Sequence, residues 1–158
     1  MKNLLLIVIA AISIQCAAQP SKFSVLTEKN GKIGIGTKAP DEMLTVKGKI
    51  HTQEVMVDLE GAVAPDYVLE AYVDGTSALK PEYALRTLAE VEAFIQKHKH
   101  LPGVPSAANL EEEGLALKEM NLVLLEKVEE LTLYALQQQK ELEALKLKVE
   151  ALSSNQDN

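Results

Sequence analysis

Residues 30 to 40, NGKIGIGTKAP, set three glycines beside lysine and threonine, the residue types of a phosphate-binding loop. A Walker-type loop needs two glycines separated by four residues, then Lys-Ser/Thr at the mouth of a helix, so that backbone amides wrap the phosphate. Here Thr37 precedes Lys38, and Pro40 follows two residues later with no helical pattern behind it. A dinucleotide fingerprint would need a third glycine where Ala39 stands. The glycines are better read as places where strands approach closely or turn tightly.

The remaining chemistry-bearing residues are equally short of a constellation. His98 and His100 are two apart at a helix end, whereas zinc pairs on a helix need i,i+4 spacing and a third ligand, and His51 is distant in sequence. Lysine and histidine there suit the negative end of a helix dipole. The acidic run Glu111-Glu112-Glu113-Gly114 lacks the alternating oxygen ligands of a calcium loop. A serine nucleophile needs a base and an orienting acid beside it, and no spacing supports one. No catalytic, cofactor-binding or metal residue is therefore assigned, and no cofactor is expected.

The first eighteen residues, MKNLLLIVIAAISIQCAA, have one lysine, an apolar run from Leu4 to Ile12 and small residues at Ala17 and Ala18. This is the layout of a cleaved secretory signal, cut after Ala18, and the run is too short to span a bilayer. The expected destination is the exterior or the cell surface, with no membrane span in the mature chain. Acylation at Cys16 is disfavoured because Gln15 stands where a small residue is wanted. Without residues 1–18 the chain has no cysteine and hence no disulfide. Losing Lys2 leaves 15 basic against 23 acidic residues, a net charge of −8. Nucleic acid and anionic lipid are excluded as partners on that balance. Six aromatic residues and no tryptophan make a poor stacking platform.

Periodicity divides what remains into a strand-rich segment (19–63), a mixed connector with short helices (64–114), a long helix (115–153) and a disordered tail (154–158). In the first, Asn30-Gly31 is a hairpin signal between KFSVLTE and KIGIGT. Leu44, Val46 and, past Gly48, Ile50 have strand spacing. Such short pieces usually need partner chains. In the connector, Tyr67, Val68, Tyr72 and Val73 are read as an edge strand or an irregular apolar patch, followed by a loop over DGTSALKPEYAL. Thr87 and Glu90 form a capping box that opens a helix running to about His98, with Leu88, Val91, Phe94 and Ile95 on its apolar stripe. LPGVP then stops it, and Ser106 caps a further short helix ending near Gly114.

The third segment carries the strongest pattern. A 4-then-3 spacing from Leu117 reaches Asn121, Leu124, Val128, Leu131, Ala135, Gln138, Leu142, Leu145, Val149 and Leu152. In heptad letters Asn121, Val128, Ala135, Leu142 and Val149 are a, and the others d. A 3.5-residue period specifies supercoiling with another helix, whereas packing on the chain's own domain tends to a wider 3.6-period face. Glu141 at g would face Lys146 at e of a parallel neighbour, and Asn121 and Gln138 would fix register at a cost in stability. Valine at a with leucine at d favours two strands, while Leu125 at e and the small Ala135 suit three, so the heptads leave the number open.

GKIGIGTKAPDEMLTVKGKI resembles the GIGT-Pro-Leu-Val-Gly segment of secreted bacterial proteins that look like phage tail fibres. PDYVL, LAEVEAFIQKHKHLPGVPSA and EMNLVLLEKVEELTLYALQQQKELEALK resemble the carboxy-terminal region of those proteins, in layout similar to the intramolecular chaperone domains of endosialidase-type tail spikes. That resemblance implies a parallel homotrimer with its helices bundled at one end. It does not extend to self-cleavage: the family's serine motif is missing, and Ser77, Ser106, Ser153 and Ser154 have no comparable context. The expectation is an α+β protein with short glycine-rich strands, a short middle helix and a long coiled-coil helix, assembled as a fibrous homotrimer. Its expected role is non-enzymatic and structural, with further copies of itself as partner, a dimer as the lesser option, and other cell-surface or fibre components as further partners. The alternatives are a self-cleaving chaperone of the tail-spike type and a surface adhesin.

Overall fold

The structure, a computed structural model, describes residues 25–154, so the expected signal segment and most of the expected tail lie outside it. The fold is α+β: one three-stranded sheet and four helices, the last of them long. The chain divides into two units, one ending at Val55 and the other beginning at Met56.

In the first unit, β1 (Leu26–Lys29) and β2 (Lys32–Ile35) form an antiparallel hairpin. Its two-residue turn sets Asn30 at φ 54 and Gly31 at φ 75, the left-handed pair that matches strand twist. β3 (Leu44–Val46) then lies parallel to β2. A parallel return usually takes a dozen or more residues; here residues 36–43 suffice, because the strands are so short that little length has to be retraced. Gly36, at φ 73, starts the return. Thr45 closes it: its Oγ1 donates to Asp41 Oδ1 at 2.7 Å and accepts from the Asp41 and Glu42 amides at 3.1 Å. The bond that the Thr45 hydroxyl donates is the chief cause holding the Asp41 carboxyl below its ordinary range. Gly34 answers the question its loop raised, since a Cβ there would stand 2.5 Å from the Thr37 carbonyl oxygen. It permits a close backbone approach.

Strand alternation puts Leu26, Ile33, Ile35, Leu44 and Val46 on one face of the sheet. Most of that face is exposed, and among the described residues of this unit only Gly34 and Thr45 are buried. Ile50, expected at strand spacing, is not in a strand: residues 47–57 form none, and the ladder ends at Val46.

The second unit contains α1 (Tyr67–Asp74), α2 (Leu88–His98), α3 (Ala107–Glu113) and α4 (Leu117–Ser154). The strand or irregular patch expected around Tyr67 is corrected to a helix. Tyr67, Val68 and Ala71 fall on one side of α1 at i, i+1 and i+4, where Tyr67 and Val68 are buried, and Gly75 ends it at φ 80. That apolar set fits either period until α4 supplies a surface. The core is Tyr67, Val68 and Leu133 of α4, with Tyr83 and Leu85 of the intervening loop packed against it.

α2 begins at the expected capping box: Glu90 N–H donates to Thr87 Oγ1 at 3.3 Å, and Thr87 N–H to Glu90 Oε2 at 2.7 Å. The reciprocal bonds keep the Glu90 carboxyl below its ordinary range. α3 is likewise capped by Ser106 and ends at Gly114. The stripe on α2 remains open, with no residue of the helix buried.

Candidate self-association surface

α4 runs for 38 residues, about 57 Å at 1.5 Å per residue. Its two long faces have different fates. The chain's own middle segment covers heptad positions c, f and g over the first half of the helix, and the contacts there are unusually polar for a packed face. Tyr67 donates its hydroxyl hydrogen to Glu126 Oε2. Lys127 Nζ donates to Glu126 Oε1 at 2.7 Å and to Glu130 Oε2 at 2.9 Å. Tyr83 O–H donates to Glu130 Oε1 at 3.3 Å, and Tyr134 O–H to the Arg86 carbonyl at 2.7 Å. Lys80 lies 4.5 Å from the Tyr67 ring centre and 3.6 Å from Glu126 Oε2.

Burial, hydrogen bonds and neighbouring charges shift several of these groups. Burial acts to raise the Glu126 carboxyl, but hydrogen bonds from Lys127 and Tyr67 and the nearby ammonium charges outweigh it, leaving it below the ordinary 4.5. Burial likewise works against the Lys127 ammonium, yet its bonds to Glu126 and Glu130 raise it above 10.5. Desolvation, helped by the same carboxylates, pushes the Tyr67 and Tyr83 hydroxyls well above 10. Glu129 goes the other way: burial, then the charges of Asp66 and Glu126, raise it, and its Oε2 is buried without a hydrogen-bond partner among the described residues.

The opposite face bears the heptad seam. Leu117, Asn121, Leu124, Val128, Leu131, Ala135, Gln138, Leu142, Leu145, Val149 and Leu152 are all exposed. The leucines and valines among them range from 49% exposed at Leu124 to 67% at Leu152. Leu125, beside the seam at e, is also exposed. From Ala135 to Ser154 every residue is exposed on every side of the helix. Among the described residues one exposed contact ties this stretch to the rest of the chain, Lys140 Nζ donating to the Tyr72 hydroxyl at 2.9 Å. A helix of that length with so little packing is marginal in water, because nucleation is costly.

The two polar seam residues differ in what they have already bonded. Asn121 Nδ2 donates to the Leu117 carbonyl one turn back, at 2.7 Å. Gln138 makes no hydrogen bond among the described residues, while its neighbours Gln137 and Gln139 donate to Glu141 at 3.0 Å and Glu143 at 2.7 Å. The heptad spacing marks the a and d stripe of α4 and gives no hint of the c, f and g face. The signal was present as a second stripe, Val123, Glu126, Lys127, Glu130, Leu133 and Tyr134, masked by its charges.

The residues considered for chemistry have structural surroundings. His98 stacks on Phe94 at 4.3 Å between ring centres, and His100 meets the same ring edge-on at 5.4 Å. Ser77 donates to Glu70 and accepts from the Leu79 amide, Ser106 caps α3, and Ser153 and Ser154 donate to carbonyls of α4. None of these four serines is bonded to a histidine. An open groove of about 490 Å³ runs between α3 and the start of α4, lined in part by Val104, Leu110, Met120 and Val123. Among the described residues no group of three or more His, Cys, Asp or Glu is placed to hold a metal, and no helix is long and apolar enough to cross a membrane. Compared with protein-family models, with curated proteins and with solved structures, the chain has no match.

Proposed function

We propose that the chain is a non-enzymatic, exported structural module in which α4 joins three copies side by side in parallel, holding their short strands close enough to pair. One observation carries this reading: the whole a/d seam of α4 is exposed, although the same helix already packs its other face on the chain's own core. A helix wanted only to support its own domain needs neither a second apolar stripe nor twenty uncovered residues beyond the core.

Parallel alignment follows from the polar layers. In a parallel, in-register bundle Gln138 meets Gln138 of its neighbours, whereas an antiparallel overlap, which sets a positions against d, places it against Ala135 or Val128 and leaves a buried amide unpaired. Association also raises the local concentration of the strand units, so that contacts too weak between free chains form within the bundle. Sedimentation equilibrium of the chain tests this: the expected mass is three times that of one chain. A dimeric mass would retain the assembly role with two strands, and a monomer with an ordered α4 would refute it.

A further inference from the structure

β2 and β3 pair with Ile33 opposite Leu44, Gly34 opposite Thr45 and Ile35 opposite Val46, an offset of eleven residues each time. The same offset applied once more reaches Val55, Met56 and Val57. The triplets IGI, LTV and VMV thus recur at one spacing, each with aliphatic side chains first and third. The third is unpaired: residues 51–60 are all exposed and form no strand.

β3 is an edge of the sheet, and no described residue pairs with its outer side. Ile33 N–H donates to Met43 O and Lys47 N–H to Ile35 O, both at 2.9 Å, so residues 43, 45 and 47 direct their main-chain groups towards β2. By alternation the N–H and C=O groups of Leu44 and Val46 point the other way. A parallel strand laid there at the same offset accepts from Leu44 N–H on Glu54 O and from Val46 N–H on Met56 O. It donates from Met56 N–H to Leu44 O and from Asp58 N–H to Val46 O. It also lengthens two aliphatic rows, Ile33–Leu44–Val55 and Ile35–Val46–Val57, on the face that the single sheet leaves exposed.

The chain's second return differs from its first in ways that matter. Residues 36–43 turn back because Gly36 has φ 73, Pro40 interrupts the strand and Thr45 holds Asp41. Residues 47–54, the same length, contain no proline and no residue of positive φ. They lack the three features that turn the chain back after β2.

We infer that the open edge of β3 takes up residues 54–58 of a second copy of this chain, each copy lending its VMV triplet to the next around a closed ring. The inference rests on side-by-side association as proposed above. Main-chain bonds supply the affinity and the alternate pockets the register, as in other strand additions. A head-to-tail exchange of this kind closes when the assembly is cyclic, and closing it removes an edge that would otherwise recruit chains without limit.

Two measurements test the pairing. In the assembled wild-type chain, the Leu44 and Val46 amides should exchange with deuterium roughly 100-fold or more slowly than in the unfolded chain. Met56→Pro, which removes one donor and the register, should abolish that protection while the sedimenting mass stays that of the oligomer. In a Cys16→Ser background, chains bearing Thr45→Cys and chains bearing Met56→Cys are refolded together and oxidised. A disulfide between the two kinds of chain is expected, and neither kind alone should give one. Unprotected amides, or a disulfide formed only when both cysteines share one chain, would overturn the exchange while an oligomeric mass leaves the assembly reading intact. A monomeric mass would instead remove the assembly reading, and the exchange with it.

Discussion

Replacing Leu131 and Leu145 together with lysine is expected to dissolve the assembly. In the single chain Leu131 is 63% and Leu145 55% exposed. Full burial of a leucine contributes about 1.5–3 kcal/mol, so each has roughly 0.9–1.8 kcal/mol still to gain from a partner helix. Three chains carry six such side chains, and the double substitution removes roughly 5–11 kcal/mol of association even before the lysines repel one another. At about 1.4 kcal/mol per tenfold, the trimer's association constant falls by roughly four to eight powers of ten. The concentration at half-assembly varies inversely as the square root of that constant, so it rises by roughly two to four powers of ten. Sedimentation equilibrium at micromolar concentration should find the variant as single chains. Far-ultraviolet circular dichroism should show helix lost beyond Lys140, whose exposed bond to the Tyr72 hydroxyl is the last contact of the helix with the rest of the chain among the described residues. A variant that sediments like the wild type would show that the seam is not the interface.

Leu133→Ala acts on the other face of the same helix: it opens a cavity beneath Tyr67 and Val68 and should cost about 2–5 kcal/mol in thermal unfolding, with the oligomeric mass unchanged. Acid should weaken the second unit, because Glu126 titrates lower folded than unfolded, so its contribution is present above pH 4.5 and lost as pH falls through the folded value. Alkali should weaken it too, since Tyr67, Tyr83 and Lys127 titrate higher folded than unfolded, and their contributions, complete below pH 10, are lost as pH rises through the folded values. Near-ultraviolet circular dichroism of the tyrosines would follow both limbs, and a midpoint that does not fall at either end would contradict the assignment. Gly34→Ala should destabilise the strand unit by roughly 1–3 kcal/mol, seen as faster amide exchange at Ile33 and Ile35, because its Cβ would overlap the Thr37 carbonyl.

Local rules were enough for the pieces whose physics is local. The capping box at Thr87, the serine cap at 106, the Asn30-Gly31 turn and the long helix from Leu117 are each written within a few residues or in a repeat that a helix converts directly into a stripe. The seam of α4 was legible for the same reason, and it lies open in the folded chain. Packing at a distance chose the rest. Tyr67, Val68, Tyr72 and Val73 suit a strand or a helix equally, and burial of Tyr67 and Val68 against Leu133, more than sixty residues away, goes with the helix. The face of α4 that serves its own core is marked by Glu126, Lys127 and Glu130, residues that read as solvated until Tyr67, Tyr83 and Lys80 are brought to them. The eleven-residue offset of β2 and β3 is a property of pairing, not of either strand alone, because hydrogen-bond register exists only once two backbones lie side by side.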